Sequence, residues 1–193
     1  MDFSGLLPAL VAGKIDLIPE NLLPTPERAS KALFTREVIY NPSAFMAPKS
    51  WTGEFENKAL QGKRIGFIKG SAQQKMLAEK VPGAVAVAYD GIDSEVLDLK
   101  AGRIDLILDG RMVLAEKIAR NGGFDAWQIS GREFFVPGLE NKGSVWAVRR
   151  GAKEIQSAVN DTLKAMVADC TYTNIRKKYV AVPVVRDEPA ACQ

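Results

Sequence analysis

Three features of the chain predict an α/β fold built from two halves of similar design. The first is a repeat. Leu7-Pro8-Ala9-Leu10-Val11-Ala12-Gly13-Lys14-Ile15-Asp16-Leu17-Ile18 returns as Val96-Leu97-Asp98-Leu99-Lys100-Ala101-Gly102-Arg103-Ile104-Asp105-Leu106-Ile107. The second is the chemistry of each copy. An apolar helical stripe (Leu7, Leu10, Val11; Val96, Leu97, Leu99) runs into a glycine suited to the left-handed position past a helix end. A short apolar strand follows, of the kind buried in a parallel sheet. The third is the alternation of helix and strand patterns along most of the chain, which argues for mostly parallel sheets.

The elements follow in order. A helix is expected over 5–12 and a strand over 14–19. Pro24 and Pro26 mark a loop, and Thr25 caps a short helix with Pro26 at its first position. Strand-like residues Phe34-Thr35 and Val38–Tyr40 precede a turn and candidate hinge at Asn41-Pro42. A strand over Ala44–Ala47 leads into a polar loop over Lys49–Leu60. Then come a strand at Arg64–Ile68, a turn at Lys69-Gly70-Ser71 and a helix over Ala72–Lys80 capped by Ser71. A strand over Ala84–Ala88 is followed by a helix over Asp93–Lys100, capped by Asp93 or Asp90. The strand Arg103–Leu108 turns at Asp109-Gly110 into the helix Arg111–Arg120. Asn121-Gly122-Gly123 breaks that helix before a strand at Ala126–Ile129. Phe134–Asn141 connects to the strand Ser144–Val148, and a long helix covers Lys153–Ala168. A last helix is expected over Tyr172–Tyr179, then a tail from Val180 to Gln193.

Composition excludes several classes. The 193 residues carry a net charge of only +3, with their basic residues dispersed, so no nucleic-acid partner is expected. No run of about 20 apolar residues exists to span a membrane. Met1-Asp2-Phe3-Ser4 has neither the basic region nor the apolar run of a secretory signal. There is no histidine and there are only two cysteines. That removes the usual zinc sites and the Ser-His-Asp and Cys-His catalytic sets, and no cofactor is expected. Cys170 and Cys192 either bridge in an oxidising compartment and pin the tail, or stand as unpaired thiols.

Ligands of open α/β sheets bind outside the C-terminal strand ends. Here those ends are Pro19–Thr25, Gly70–Gln73 and Asp109–Arg111, which would converge on one cleft if two lobes face each other. These loops and the tail carry a family resemblance. Asp2-Phe3-Ser4-Gly5-Leu6-Leu7-Pro8-Ala9-Leu10 with Ala12–Asp16 resembles the "DFDGLIPALxAGKID" block of bacterial extracellular solute-binding proteins of family 3, the polar amino-acid binders of ABC importers. Thr25-Pro26-Glu27-Arg28 with Phe34-Thr35 resembles "TPERxxxxxFS/T", and Gly62–Gln73 resembles "GKRVGVxxGTTQ". Ala101–Asp105 is similar to the second "AGRID", and Thr171-Tyr172, Ile175 and Lys178-Tyr179 to "GTYxKIxxKYF". The blocks run in the family's order over nearly the whole chain.

The resemblance implies a type II periplasmic-binding-protein fold, with two α/β lobes joined by two crossing strands. Lobe 1 would be residues 1–42 and 141–193, and lobe 2 residues 43–140, with crossings near Tyr40–Pro42 and Glu140–Gly143. It implies a periplasmic, non-enzymatic protein that clamps a small carboxylate-bearing, amino-acid-like ligand and delivers it to membrane importer subunits. Family members carry about 50 further residues before the matching start, behind a signal peptide. Lobe 1 is therefore expected to be incomplete and its open sheet edge to be covered by a homodimer or domain swap.

By the same resemblance the ligand's α-carboxylate is forked by Arg28, whose guanidinium suits that geometry. Asn21 and Leu23 fall where the family offers hydroxyl or backbone groups, and the Leu23 side chain offers neither donor nor acceptor. The family's paired threonines become Ser71 and Ala72. Its acidic partner of the α-amino group falls on Gly110, with Asp109 one residue earlier and pointing the other way. Losing that ion pair is expected to cost about 2–5 kcal/mol of binding.

Each of these residues also has a plain structural role open to it. Arg28 suits a surface salt bridge, Asn21 a turn, Ser71 a helix cap and Asp109 a helix N-terminus. Trp127, Phe134 and Phe135 are expected to pack in the core or at the crossover rather than to form a stacking platform, while the role of Trp51 is open. Two other functions compete: a repurposed or decayed sensor or interaction module with little ligand binding, and a dehydratase-type enzyme using Glu20 and Asp109 as an acid/base pair.

Overall fold

The computed structural model describes residues 1–140, 142–180 and 184–192. The chain divides into two compact units, Met1–Gly5 with Asn41–Asn141 and Leu6–Tyr40 with Lys142–Gln193. The crossing expected at Glu140–Gly143 includes Asn141, and the expected tail includes residues 181–183 and Gln193; these lie outside the described residues.

The first unit holds a five-stranded sheet. Its strands are β3 (Ser43–Pro48), β4 (Arg64–Ile68), β5 (Val85–Tyr89), β6 (Leu106–Gly110) and β7 (Trp127–Ile129), following β1 (Leu17–Leu22) and β2 (Ala32–Ile39) of the other unit in chain order. They lie in the order β5-β4-β6-β3-β7. β4 runs parallel to β5 and β6, while β3 is antiparallel to β6 and β7. β3 is buried on both faces, with Ala44, Phe45, Met46 and Ala47 all inaccessible. Alternation along a strand sends Met46 and Phe45 to opposite sides. Met46 joins a core with Ile107 and with Val96, Leu99, Leu114 and Ile118 from α5 (Ile92–Lys100) and α6 (Arg111–Arg120). Phe45 meets Phe134 edge-on at 4.8 Å. Trp127 belongs to the Met46 core and satisfies its indole N–H on the Asn121 carbonyl, as packing predicts. Trp51 is half-buried beside Phe55.

The second unit holds β1 (Leu17–Leu22), β2 (Ala32–Ile39) and β8 (Ser144–Arg149), in the order β1-β8-β2. Here the expectation of mostly parallel pairing fails, because β8 runs antiparallel to both neighbours. Helix–strand alternation predicts parallel pairing only between strands consecutive in the chain, and β8 arrives from more than a hundred residues away. β2 forms one edge of this sheet, and α8 (Lys153–Ala168) serves that edge with side chains. Asn160 Oδ1 accepts from the Arg36 N–H at 2.7 Å and Gln156 donates to the Phe34 carbonyl at 2.5 Å. Backbone groups that would otherwise invite another strand are thereby satisfied.

The repeat has one structural meaning in both copies. Gly13 and Gly102 end their helices at φ +70° and +67°, where a Cβ would be strained. α1 (Phe3–Val11) and α5 precede them. The strands begin later than expected, at Leu17 and Leu106. Short helices α3 (Asn57–Leu60) and α7 (Gly123–Ala126) occupy stretches expected as loop and break, and α9 covers Thr171–Arg176. Cys170 and Cys192 are bonded to each other.

Candidate functional site

In the second unit the expected residues run from the end of β1, which carries Asn21, through Leu23 into α2 (Pro26–Ala29), which carries Arg28. Thr25 caps α2 as its sequence predicts, its Oγ1 accepting from the Arg28 N–H at 3.3 Å. That short turn fixes Arg28, which is only 9% exposed. Its Nη1 donates to the Leu23 carbonyl at 2.9 Å. Leu23 thus enters through its backbone, a role its side chain conceals in the sequence. Burial pulls the Arg28 pKa down, partly offset by the neighbouring Glu27 carboxylate. Glu27 itself reaches Lys31 at 2.9 Å. Asn21 is exposed at the end of β1, as is Glu20.

In the first unit, parallel pairing of β4 and β6 brings their C-terminal ends side by side. The turns bearing Ser71 and Gly110 therefore share one end of the sheet. Ser71 stands at the N-cap position of α4 (Ala72–Lys80), but its hydroxyl makes no capping bond. The Oγ is buried and has no hydrogen-bond partner among the described residues. The expected Ser71 cap is thus absent. Ala72 is buried in the first turn. Neither Asp90 nor Asp93 caps α5 either: Gly91 occupies its N-cap, and Asp93 pairs with Lys117 at 2.7 Å.

Gly110 ends β6 and is buried. A Cβ there would fall 2.3 Å from Asn41 Nδ2. Asn41 sits there because its Oδ1 accepts from the Met112 N–H at 2.9 Å, capping α6 across the sheet end. The sequence reads Asn41 as a turn residue, and only the pairing of β3 with β6 delivers it to α6. Asp109 Oδ1 accepts from the Gly110 N–H at 2.6 Å. Alternation in β6 places Asp109 on the face of Ile107, opposite to Gly110, as predicted. Burial raises its pKa to about 6, against the opposing Gly110 N–H.

A residue not singled out from the sequence lies on that same face. Glu95 is fully buried, and neither carboxyl oxygen has a hydrogen-bond partner among the described residues. Its Cγ lies 3.5 Å from where a Cβ on Gly66 would stand. Burial, and secondarily the charge of Asp109, lift its pKa to about 9. Its signal is legible in retrospect: Ile92, Glu95, Val96 and Leu99 have the spacing of one buried helical stripe.

The chemistry available is hydrogen bonding and charge. Among the described residues no group of three or more His, Cys, Asp or Glu is placed to hold a metal ion. A cavity of about 430 Å³ in the first unit lies over Leu60, Met76 and Phe134, and none of the expected ligand residues lines it. No helix among the described residues is long and apolar enough to cross a membrane.

Residues 1–182 match the family model of bacterial extracellular solute-binding proteins, family 3. The chain is 31% identical to ABC transporter arginine-binding protein 1 of Escherichia coli (strain K12), covering 92% of this chain and 71% of the relative. It is 30% identical to the lysine/arginine/ornithine-binding periplasmic protein of the same strain, over 96% and 72%. Among solved structures, an ancestral arginine-binding protein bound to glutamine superposes with a TM-score of 0.85 at 26% identity, over 94% of this chain and 78% of that one. The family match takes in α2 with its Thr-Pro-Glu-Arg turn and both glycine-ended helices, and the chain belongs to the bacterial extracellular solute-binding proteins of family 3.

Proposed function

We propose that this protein is the receptor of an ABC-type amino-acid importer in the periplasm, and that Arg28 takes the carboxylate of its solute. The placement of Arg28 carries the proposal. Its guanidinium is buried and its Nη1 donates to the Leu23 carbonyl, and a guanidinium fixed in this way suits charge-assisted, two-pronged hydrogen bonding to a carboxylate. The relatives' names, which specify arginine, lysine and ornithine binding, support a solute of amino-acid type. On the first unit, the Ser71 hydroxyl, which has no hydrogen-bond partner among the described residues, stands at the start of α4.

The contact for the solute's amino group is proposed to differ. Gly110 stands where the resemblance places an acid, and Asn41 takes the space a side chain at 110 would need. That observation favours solutes recognised more by their carboxylate than by their ammonium, and it is also what a repurposed module with weak binding would display.

Calorimetric titration with L-arginine, L-glutamine and a carboxylate lacking the α-ammonium tests both. Arg28→Ala is expected to weaken binding about 30-fold or more. Undiminished binding by that variant would remove Arg28 from the proposal. No binding of any carboxylate by the parent protein would favour the repurposed module.

A further inference from the structure

The C-terminal segment 184–192 is fastened to α9 at one end and reaches β2 at the other, all within the second unit. Three attachments fasten it. Cys192 is bonded to Cys170, and Lys177 Nζ donates to the Cys192 carbonyl at 3.0 Å. Glu188 Oε1 accepts from Arg176 Nη2 at 2.6 Å and from the Thr173 hydroxyl. The Arg176 and Glu188 side chains are 4% and 1% exposed, so this pair is sealed from water. Burial pushes the Glu188 pKa up, but the hydrogen bonds from Thr173 and Arg176, together with the charges of Arg176 and Lys177, outweigh it and bring the pKa below the ordinary glutamate value.

From that anchor the segment meets the end of β2. Asp187 pairs with Arg36. Arg186 stacks over the Tyr40 ring at 4.5 Å and lies 3.5 Å from Glu37 Oε1. The Val184 carbonyl accepts from the Tyr40 N–H at 2.6 Å. Glu37 then spends its other oxygen, Oε2, on the Gly143 N–H at 2.8 Å. Gly143 is required for that approach, since a Cβ would fall 2.2 Å from Glu37 Cδ.

Tyr40 is the last residue of this unit before the chain leaves it, and Gly143 is the second after the chain returns at Lys142. The residues of this unit at both connections are therefore held by side-chain or backbone contacts, Tyr40 by Val184 and Arg186, and Gly143 through Glu37. A tail serving only to bury apolar surface would have no need of two charged side chains, Arg186 and Asp187, at one strand end. We propose that segment 184–192 is a disulfide-tethered strap that positions the two connections between the units, with Glu37 as the shared joint and Arg186 as the contact linking strap to joint. The strap is independent of any ligand, so its test stands apart from that of Arg28.

Native-state hydrogen exchange on the full chain measures it. In Cys170→Ser/Cys192→Ser the Tyr40 and Gly143 amides are expected to exchange at least tenfold faster, while Gly66 and Ile107 in the other unit and Ala147 at the centre of β8 keep their protection. Parent-like protection at Tyr40 and Gly143 would overturn the proposal and leave a stapled tail. Equal acceleration at Ala147 would overturn it too, by showing that the whole unit had loosened. Arg186→Ala supplies a variant with the disulfide and the Arg176–Glu188 pair intact. It is expected to give the same local acceleration at Tyr40 and Gly143, and no change there would equally overturn the strap.

Discussion

Replacing Glu95 with glutamine should remove most of one slope from the protein's stability-versus-pH curve. The carboxyl is fully buried without a hydrogen-bond partner among the described residues, and its pKa rises from 4.5 to about 9 on folding. Above pH 4.5 the unfolded chain releases this proton while the folded chain keeps it. Ionisation therefore favours unfolding, and the stability associated with the proton is complete below pH 4.5 and lost as pH rises towards 9. The loss is about 1.4 kcal/mol per pH unit, or about 3 kcal/mol between pH 5 and 7. Glutamine has no proton to hold, so Glu95→Gln should gain on the parent steadily across that range. Urea unfolding at half-unit pH steps, followed by fluorescence of the buried Trp127, reads the difference, and other titrating groups largely cancel between the two proteins. A parent-minus-variant difference that stays flat from pH 5 to 8 would refute the account, since it would mean that Glu95 ionises as readily in the folded protein as in the unfolded chain.

Three further outcomes are expected. Gly110→Ala forces Asn41 off the start of α6, costing about 1–3 kcal/mol in a thermal melt, whereas Asn41→Ala, which loses the cap alone, costs about 1 kcal/mol. Arg176→Met leaves Glu188 buried without its guanidinium and should destabilise by about 3–5 kcal/mol, with much of that recovered when Glu188→Leu is added. We also propose a homodimer or strand swap through β1, which forms the other edge of the three-stranded sheet; light scattering that gives a monomer mass at high concentration would dismiss it.

Where neighbours along the chain decide the structure, the residues announce it. The α8 boundaries at Lys153 and Ala168, the Thr25-Pro26 start of α2 and the two left-handed glycines all follow from spacing and capping chemistry. The turn that holds Arg28 is legible because its cap, Thr25, lies within a few residues of it. The Leu23 carbonyl that aims it is not legible, because a backbone acceptor leaves no mark on residue identity. Ser71 has the right residue type for a cap, yet residue type alone does not orient a hydroxyl.

By itself, the sequence determined the α/β class, the positions of most helices and strands, the repeated helix-glycine-strand unit and the family. These are set by interactions spanning a turn or two, which periodicity and capping encode directly. The tertiary structure alone decided that β8 separates β1 from β2, that Asn41 caps α6, that Glu95 is sealed beside Asp109, and that residues 184–188 hold Tyr40 and Glu37. Each joins residues distant in the chain or depends on whether water is excluded around a group. Burial and long-range pairing emerge from the free energy of the assembled chain, and no short window of residues contains it.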